Sequence, residues 1–259
     1  MHPLSTAAPD EFKNVRFILT DMDETLTYQG RLAAATYDAL ERLQDKGIKV
    51  IPVTAAPAGW CDQMARMWPI DGVIGENGGF SFQRAPGGHD VVRRFWHGED
   101  GRLAVAARLD AIARTLGDEM PKVALADDQP FRLTSIAFAQ PDDPVVAQQL
   151  LQRLRELGAD ATLNNLWILG WLGGYNKLSM ARRMLAEAYG LDIDTHPEAV
   201  LYTGDSTNDA PMFGFFKHSV GVSTVRSYLH EIPVPPRWVT QGPGGAGFVE
   251  AAHAVLSAK

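Results

Sequence analysis

The chain has 259 residues, of which 46% are hydrophobic and 21% are charged, and its formal net charge at pH 7 is −7. This composition is typical of a globular protein rather than a disordered or fibrous one, and the length allows one domain or two. The negative charge argues against a protein whose affinity depends on neutralising a nucleic-acid backbone, so we expect no nucleic-acid partner.

The chain contains one cysteine, Cys61, so it cannot form an intrachain disulfide or a cluster of thiolate metal ligands. Residues 1–12 lack the basic region and apolar stretch of a secretory signal. No apolar run approaches the ~20 residues that span a bilayer. We therefore expect a cytoplasmic protein with no membrane partner, and its oligomeric state stays open.

Strand-like and helix-like segments alternate along the first 82 residues. The first is a continuous apolar run from Val15 to Thr20, as expected of a strand that is buried on both faces. The segments that follow are predicted as a helix over 32–46, a strand over 48–53, a helix over 58–68 and a short strand over 72–74. This βαβαβ order predicts a parallel sheet.

The pattern changes near Gln83, where Pro86-Gly87-Gly88 interrupts the chain and later strands alternate between apolar and polar residues. We predict an inserted domain over residues 83–171, a small α+β sandwich with helices on one side of a sheet. Its predicted elements are a strand over 91–96, a helix over 103–116, a strand over 132–139, a helix over 145–157 and a hairpin over 161–171.

After Gly173-Gly174 the first pattern resumes. The predicted elements are a helix over 177–189, a strand over 199–203, a helix over 208–215, a strand over 219–222 and a helix over 247–256. Residues 172–259 would then complete the sheet begun by residues 1–82. The whole pattern predicts an α/β protein with a discontinuous, Rossmann-like, doubly wound parallel-sheet core and an inserted α+β domain.

Two carboxylates follow the first predicted strand directly, in Asp21-Met22-Asp23-Glu24-Thr25. Ligands bind at the carboxyl ends of the strands in open α/β sheets. Two acids this close repel each other unless a cation lies between them or one of them carries a proton. From these residues alone, two interpretations stay open: a functional pair, or a turn in which an Asp caps a helix.

Three further polar groups lie at equivalent strand or helix ends. Thr54 follows the second strand, Lys177 begins a helix, and Gly204-Asp205-Ser206-Thr207-Asn208-Asp209 follows a later strand and begins another helix. Lys177 is slightly unfavourable there because it opposes the helix dipole. Each group also has a structural explanation, as a strand-ending Thr, a surface Lys and a helix cap, so none is decisive alone.

Taken in order, the four segments resemble the motifs of the haloacid dehalogenase superfamily of phosphatases: Asp-x-Asp-x-Thr, Ser or Thr, Lys, and Gly-Asp-x-x-Asn-Asp. The resemblance covers the whole chain, because the insertion lies where type-IIB members carry their cap domain (type C2B). The turn Glu76-Asn77-Gly78-Gly79 is similar to a segment of that subgroup, which includes the Cof-type, sucrose-phosphate and mannosyl-3-phosphoglycerate phosphatases. The resemblance implies a Mg²⁺-dependent phosphatase that hydrolyses a small phosphorylated metabolite, such as a sugar phosphate.

The resemblance also implies roles for the acidic residues. Asp21 is the nucleophile and forms an aspartyl-phosphate. Asp23 is the general acid and base, with a pKa raised by its acidic neighbours. The implied ligands of Mg²⁺ are Asp21, the backbone carbonyl of Asp23, and Asp205.

The remaining implied roles concern the phosphoryl group. Thr54 hydrogen-bonds a phosphoryl oxygen, and Lys177 neutralises charge on that group and on Asp21. Asn208 contributes to phosphate binding, and Asn208 and Asp209 position Lys177 and metal-bound water from behind the metal ligands.

Two positions depart from the family pattern. Position 24 is usually Gly, and Glu24 costs on the order of 1 kcal/mol or more if the loop requires a positive φ. Many relatives continue after the Thr with Gly-Arg, whereas this chain has Ala55-Ala56-Pro57 and lacks that cation. The substrate preference therefore stays open.

Side chains outside the motifs leave substrate contacts open as well. Three arginines could bind an acidic substrate, although Arg on a half-exposed strand is more often solvated: Arg93, Arg94 and Arg132. Three tryptophans could stack on a sugar or serve packing: Trp60, Trp96 and Trp171.

Two alternatives to a phosphatase also stay open. A phosphomutase similar to eukaryotic phosphomannomutases has the same motifs and cap type, and its dependence on a bisphosphate activator would distinguish it. A catalytically silent binding protein could keep the fold, but such a protein is expected to lose its nucleophile, and Asp21 is present.

Overall fold

The computed structural model describes residues 1–164 and 166–259. Its α-helices are α1 (Ala34–Asp45), α2 (Ala58–Met67), α3 (Glu99–Glu119), α4 (Pro144–Glu156), α5 (Lys177–Tyr189), α6 (Ala210–Phe215) and α7 (Gly244–Ser257). Each lies where the sequence pattern predicts a helix, with ends that differ by a few residues. None of these described helices has both the length and the apolar character that a membrane crossing requires.

The strands form one large sheet and three small ones. In chain order they are β1 (His2–Pro3), β2 (Phe17–Thr20), β3 (Thr27–Tyr28), β4 (Arg31–Leu32), β5 (Lys49–Pro52), β6 (Val73–Gly75), β7 (Phe80–Arg84), β8 (Val91–Phe95), β9 (Ser135–Ala139), β10 (Asp160–Leu163), β11 (Trp167–Trp171), β12 (Val200–Gly204), β13 (His218–Gly221) and β14 (Trp238–Val239). The large sheet has six strands in the order β1-β14-β13-β12-β2-β5, and every neighbouring pair is parallel.

Both faces of the six-stranded sheet are covered by helices. Ile18 of β2 packs in one hydrophobic cluster with residues of α1, α2 and α7, whereas its neighbours Phe17 and Leu19 pack in a second cluster with residues of α5 and α6. Side chains alternate between the faces of a strand, so a continuous apolar run such as β2 must have apolar partners on both sides. The predicted α/β fold with a parallel sheet is confirmed.

The insertion contains a second, antiparallel sheet in the order β10-β11-β9. Helices α3 and α4 pack on one face of it around a cluster of their own, which includes Leu116, Leu150 and Ile168. The α+β pattern predicted for this part of the chain therefore occurs. The hairpin predicted over 161–171 includes Asn165, which lies outside the described residues.

Two predicted strands pair differently from the prediction. Val73–Gly75, expected in the parallel sheet, forms a single parallel bridge with it, between Val53 and Ile74, and pairs antiparallel with β7. Val91–Phe95, expected in the sheet of the insertion, pairs with β7 instead, because Phe95 packs against the aromatic rings of that strand. The division into a core (residues 1–82 and 172–259) and a cap (residues 83–171) stays a prediction.

The side chain of Glu76 links the start of α2 to the start of β9 and the two residues before it by hydrogen bonds. Its φ is +46°, and its side chain is buried. The carboxylate accepts hydrogen bonds of 2.8 to 3.1 Å from the backbone N–H groups of Ala58, Leu133 and Thr134 and from the hydroxyls of Thr134 and Ser135. Every partner is a donor, so a carboxylate, which only accepts hydrogen bonds, suits this position.

We expect Glu76→Gln to lower the free energy of unfolding by about 3 kcal/mol, because the new NH₂ group must face donors and leaves at least two of them unpaired. Urea denaturation measures this loss. The exposed Glu41→Gln is the matched control and should change stability by less than about 0.5 kcal/mol. A loss below 1 kcal/mol for Glu76→Gln would show that the buried carboxylate does not hold these segments together.

Candidate active site

The candidate site lies at the carboxyl edge of the parallel sheet, where β2 and β12 end side by side. Thr20 at the end of β2 pairs with Thr203, whose carbonyl accepts a 2.9 Å hydrogen bond from the backbone N–H of Asp21. Asp21 follows β2 and Asp205 follows β12, and both side chains are buried. The first and fourth motifs therefore meet at one edge of the sheet, as parallel pairing requires.

Lys177 reaches the same edge from the first turn of α5. The helix begins there because Asn176 and Ser179 form a capping box. The Nζ of Lys177 lies 2.7 Å from Oδ1 of Asp21 and 2.7 Å from Oδ1 of Asp209. Burial acts to lower the pKa of Lys177, but Asp209 and Asp21 outweigh it and raise this pKa above its ordinary value. The buried ammonium group is therefore charged.

Asp209 holds the loop after β12 together. Its Oδ1 also accepts a hydrogen bond from the hydroxyl of Tyr202, and its Oδ2 accepts from the backbone N–H groups of Asp205 and Ser206 at 3.0 and 3.3 Å. Gly204 makes room for this carboxylate, since a Cβ there would lie 2.4 Å from Oδ2. With all four lone-pair sites taken by donors, Asp209 is suited to positioning Lys177 rather than to binding a metal.

Three carboxylates at this edge, from Asp21, Asp205 and Asp209, have oxygens within 4.8 Å of one another. Because the lone pairs of Asp209 are used, Asp21 and Asp205 are the side chains suited to a cation. Burial raises the pKa of Asp205 to about 9, with Asp21 and Asp209 adding to the rise. Burial also raises the pKa of Asp21 to about 7, against the effect of Lys177. A hard divalent cation fits this buried excess of negative charge.

Asp23 lies between two adjoining spaces. One is a narrow chamber that is also lined by Asp21, Asp205 and Asn208, and the other is an open cleft beneath the insertion. Burial raises the pKa of Asp23 to about 6, with Lys177 opposing the rise. The direction agrees with the sequence-based expectation, but the first cause is burial rather than the crowding of acidic groups.

Thr54 lies in the loop after β5, beside the loop that carries Asp21. Its side chain is fully buried, and its hydroxyl oxygen accepts a 3.0 Å hydrogen bond from the backbone N–H of Ala56. At this point the wall of the chamber is formed by Ala55. The predicted hydrogen bond from Thr54 to a phosphoryl oxygen stays a prediction.

The guanidinium of Arg132 lies beside Ala55, although the residues that directly follow Thr54 in the sequence include no cation. Arg132 of the insertion donates to the carbonyl of Ala55 at 3.0 Å and forms a bidentate pair with Asp128 at 3.0 and 2.8 Å. Its guanidinium also lies 5.0 Å from the ring centre of Trp167, and its side chain is fully buried. Arg132 is thus neither solvated nor open to a substrate. This differs from both interpretations drawn from the sequence, a side chain that binds the substrate and a solvated side chain.

Glu24 has a φ of +58°, so the loop does require the left-handed conformation that Gly adopts without strain. Its carboxylate accepts a 2.8 Å hydrogen bond from the backbone N–H of Gln29. This contact offsets part of the cost of about 1 kcal/mol that a non-glycine residue incurs there.

Comparison with known proteins agrees with the site geometry. Residues 18–87, which hold the first two motifs, match the model of the haloacid dehalogenase-like hydrolase family. This part of the chain is therefore similar to the haloacid dehalogenase-like hydrolases. The family recognised from the four motifs is thereby confirmed. A comparison with curated proteins gives no significant match.

Solved structures resemble this hydrolase over most of its length. A protein from Thermoplasma acidophilum has a TM-score of 0.73 at 19% identity, covering 94% of this chain and 99% of that one. A haloacid dehalogenase-like hydrolase from Bacteroides thetaiotaomicron has a TM-score of 0.67 at 15% identity, covering 93% and 99%. The sucrose-phosphatase from Synechocystis sp. PCC6803, in complex with sucrose and phosphate, has a TM-score of 0.65 at 18% identity, covering 92% and 97%. At these identities the likeness shows the fold.

Two groups that hold the charged side chains of this hydrolase were given no role by the sequence analysis. Tyr202 lies inside β12 and donates to Asp209, and its only sign in the sequence is a polar tip within an apolar strand. Thr25, the last residue of the first motif, donates from its hydroxyl to Oδ1 of Asp205 at 3.4 Å. Its place in the motif indicates importance but not its partner.

Proposed function

We propose that this hydrolase is a phosphatase of small phosphorylated metabolites, such as sugar phosphates, and that it acts through an aspartyl-phosphate on Asp21. The observation that carries the proposal is the 2.7 Å contact between Nζ of Lys177 and Oδ1 of Asp21, a residue that lines the chamber together with Asp205. Among the described residues, none donates a hydrogen bond to Oδ2 of Asp21. That oxygen is available to attack, while Lys177 fixes the orientation of the carboxylate. The sucrose-phosphatase among the similar structures supports the substrate class.

In the first step, Oδ2 of Asp21 forms a bond to phosphorus while the bond from phosphorus to the alcohol oxygen of the substrate breaks. Asp23 donates its proton to that leaving oxygen, for which its place between the chamber and the cleft is suitable. Lys177 offsets negative charge on Asp21 and on the incoming phosphoryl group. The alcohol then departs through the cleft.

In the second step, a water oxygen attacks phosphorus and Asp23 takes up the proton of that water. The bond between phosphorus and Asp21 breaks, which releases inorganic phosphate and restores both carboxyl groups to their starting states. Thr54 and Asn208 are the proposed partners of the phosphoryl oxygens in both steps. Asp209 keeps Lys177 in place throughout.

Mg²⁺ is the proposed cofactor, held by the carboxylates of Asp21 and Asp205 and by the backbone carbonyl of Asp23. When bound, it supplies positive charge that offsets the repulsion between the substrate phosphate and the buried carboxylates. Repulsion between two unit charges 4 Å apart is about 4 kcal/mol at an effective dielectric constant near 20, which corresponds to about three decades of rate.

A screen of phosphorylated metabolites with Mg²⁺ and with EDTA tests the proposal. We expect at least one phosphate ester of an uncharged sugar to release inorganic phosphate with Mg²⁺. The rate should fall roughly 100-fold or more in EDTA. Equal rates in EDTA, or no release from any ester, would contradict the proposal. Phosphoryl transfer that requires a bisphosphate activator would identify a phosphomutase instead.

A further inference from the structure

The cleft beyond Asp23 has a volume of about 650 Å³ and shares Asp23 and Leu166 with the chamber. A phosphate ester held in the chamber would extend its alcohol portion past Asp23 into this cleft, whose volume is typical of small-molecule sites. On the basis of the phosphatase function above, we propose that the leaving group of the substrate is uncharged or cationic, has a flat apolar face, and carries no second acidic group.

Two tryptophans give the cleft its flat apolar walls. Trp60 projects from α2 with 43% of its surface exposed, and the ring of Trp167, at the start of β11, packs against it edge to face. Their ring centres are 6.4 Å apart with an interplanar angle of 71°. Met64 and Trp68 continue the apolar lining. An indole exposed inside a cleft offers a large, rigid face to an aromatic ring or to the apolar face of a sugar.

The charged residues that line the cleft are all acidic. They are Asp23, Asp127 and Asp128, and no Lys, Arg or His lines it among the described residues. Arg132 lies behind this wall, but Asp128 binds its guanidinium and its side chain is fully buried. The arginine therefore cannot pair with a substrate anion.

Asp127 is exposed at the cleft, so its carboxylate can attract or repel a charged leaving group. An ammonium or hydroxyl group on the substrate would find an acceptor there. A carboxylate or a second phosphate would meet like charge with no cation in the lining to balance it. A bisphosphate would bring a second phosphate to the same wall, so the lining also favours a phosphatase over a phosphomutase.

Three aryl monophosphates test the proposal, each with the same phenol leaving group and a two-carbon para substituent that ends in a hydroxyl, an ammonium or a carboxylate. We expect kcat/KM for the hydroxyl and ammonium esters to exceed that for the carboxylate ester by roughly tenfold or more. A carboxylate ester that is hydrolysed as fast as the other two, or faster, would overturn the proposal.

Substitution of Asp127 tests the source of the preference. In Asp127→Asn, the ratio of kcat/KM for the ammonium ester to kcat/KM for the carboxylate ester should fall about threefold or more. The variant lacks the side-chain charge that attracts the ammonium ester and repels the carboxylate ester. The exposed Asp110→Asn on α3 removes the same charge elsewhere and should leave the ratio unchanged. An unchanged ratio in Asp127→Asn would contradict the role given to this residue.

Acetyl phosphate separates failure of this inference from failure of the phosphatase function, because its leaving group is too small to fill the cleft. If acetyl phosphate is hydrolysed with Mg²⁺ while the three aryl esters show no charge preference, the inference is wrong and the phosphatase function stands. If neither acetyl phosphate nor any aryl ester is hydrolysed, the phosphatase function is wrong and the inference that rests on it is wrong as well.

Discussion

Asp21→Asn is expected to lower the turnover of every phosphorylated substrate by roughly 10⁴-fold or more. Asn has nearly the same shape and keeps an oxygen that can accept the hydrogen bond from Lys177, but an amide does not attack phosphorus. The substitution also removes one of three carboxyl groups whose oxygens lie within 4.8 Å of one another. The variant should therefore fold, and its stability in EDTA should not fall below that of the wild type.

Release of inorganic phosphate at saturating Mg²⁺ measures the effect, and thermal unfolding of the same sample shows that the variant is folded. The matched control is Asp10→Asn, which removes an exposed carboxylate before β2 and should keep full activity. Turnover in Asp21→Asn within tenfold of the wild type would place the nucleophile elsewhere, even if the fold and the Lys177 contact are intact.

Segments with strong local patterns were predictable, and those that depend on distant partners were not. α5 has both of its predicted ends, because a polar cap begins it and Gly190 in a left-handed conformation ends it. β1 and β14 have two residues each, too few to show alternation, and they pair across the whole chain, with His2 opposite Trp238. β7 lies between glycine-rich turns and carries no helix or strand period long enough to identify.

The candidate site shows the same division. Asp21, Thr54 and Asp205 each follow a parallel strand, and parallel strands end at a common edge, so their proximity follows from the strand order. The contacts of Glu76 and Arg132 depend on how the insertion packs against the core. No local pattern encodes that packing, and the sequence therefore could not show that Arg132 is already paired with Asp128 and buried.

Lys177→Met should lower both stability and activity, because it removes the cation between two buried carboxylates. The Nζ contacts with Asp21 and Asp209 are both 2.7 Å, and all three side chains are buried. Removal of one partner from a buried ion pair costs about 3–5 kcal/mol. Met has a similar length and volume, so the loss of unfolding free energy reports on charge more than on a cavity. The same charge acts on the phosphoryl group, so kcat should also fall about 10³-fold.

A double variant separates this charge effect from packing. Lys177→Met combined with Asp209→Asn should lose less unfolding free energy than Lys177→Met alone, because one of the unpaired buried charges is removed as well. Saturating Mg²⁺ should recover part of the loss in the single variant, since another cation then offsets the charge of Asp21. The exposed Lys122→Met should leave stability within about 0.5 kcal/mol of the wild type. Equal losses of unfolding free energy in the single and double variants would contradict this account. Lys177 would then pack at this edge of the sheet without neutralising the carboxylates, and its charge could not be what orients Asp21 toward phosphorus.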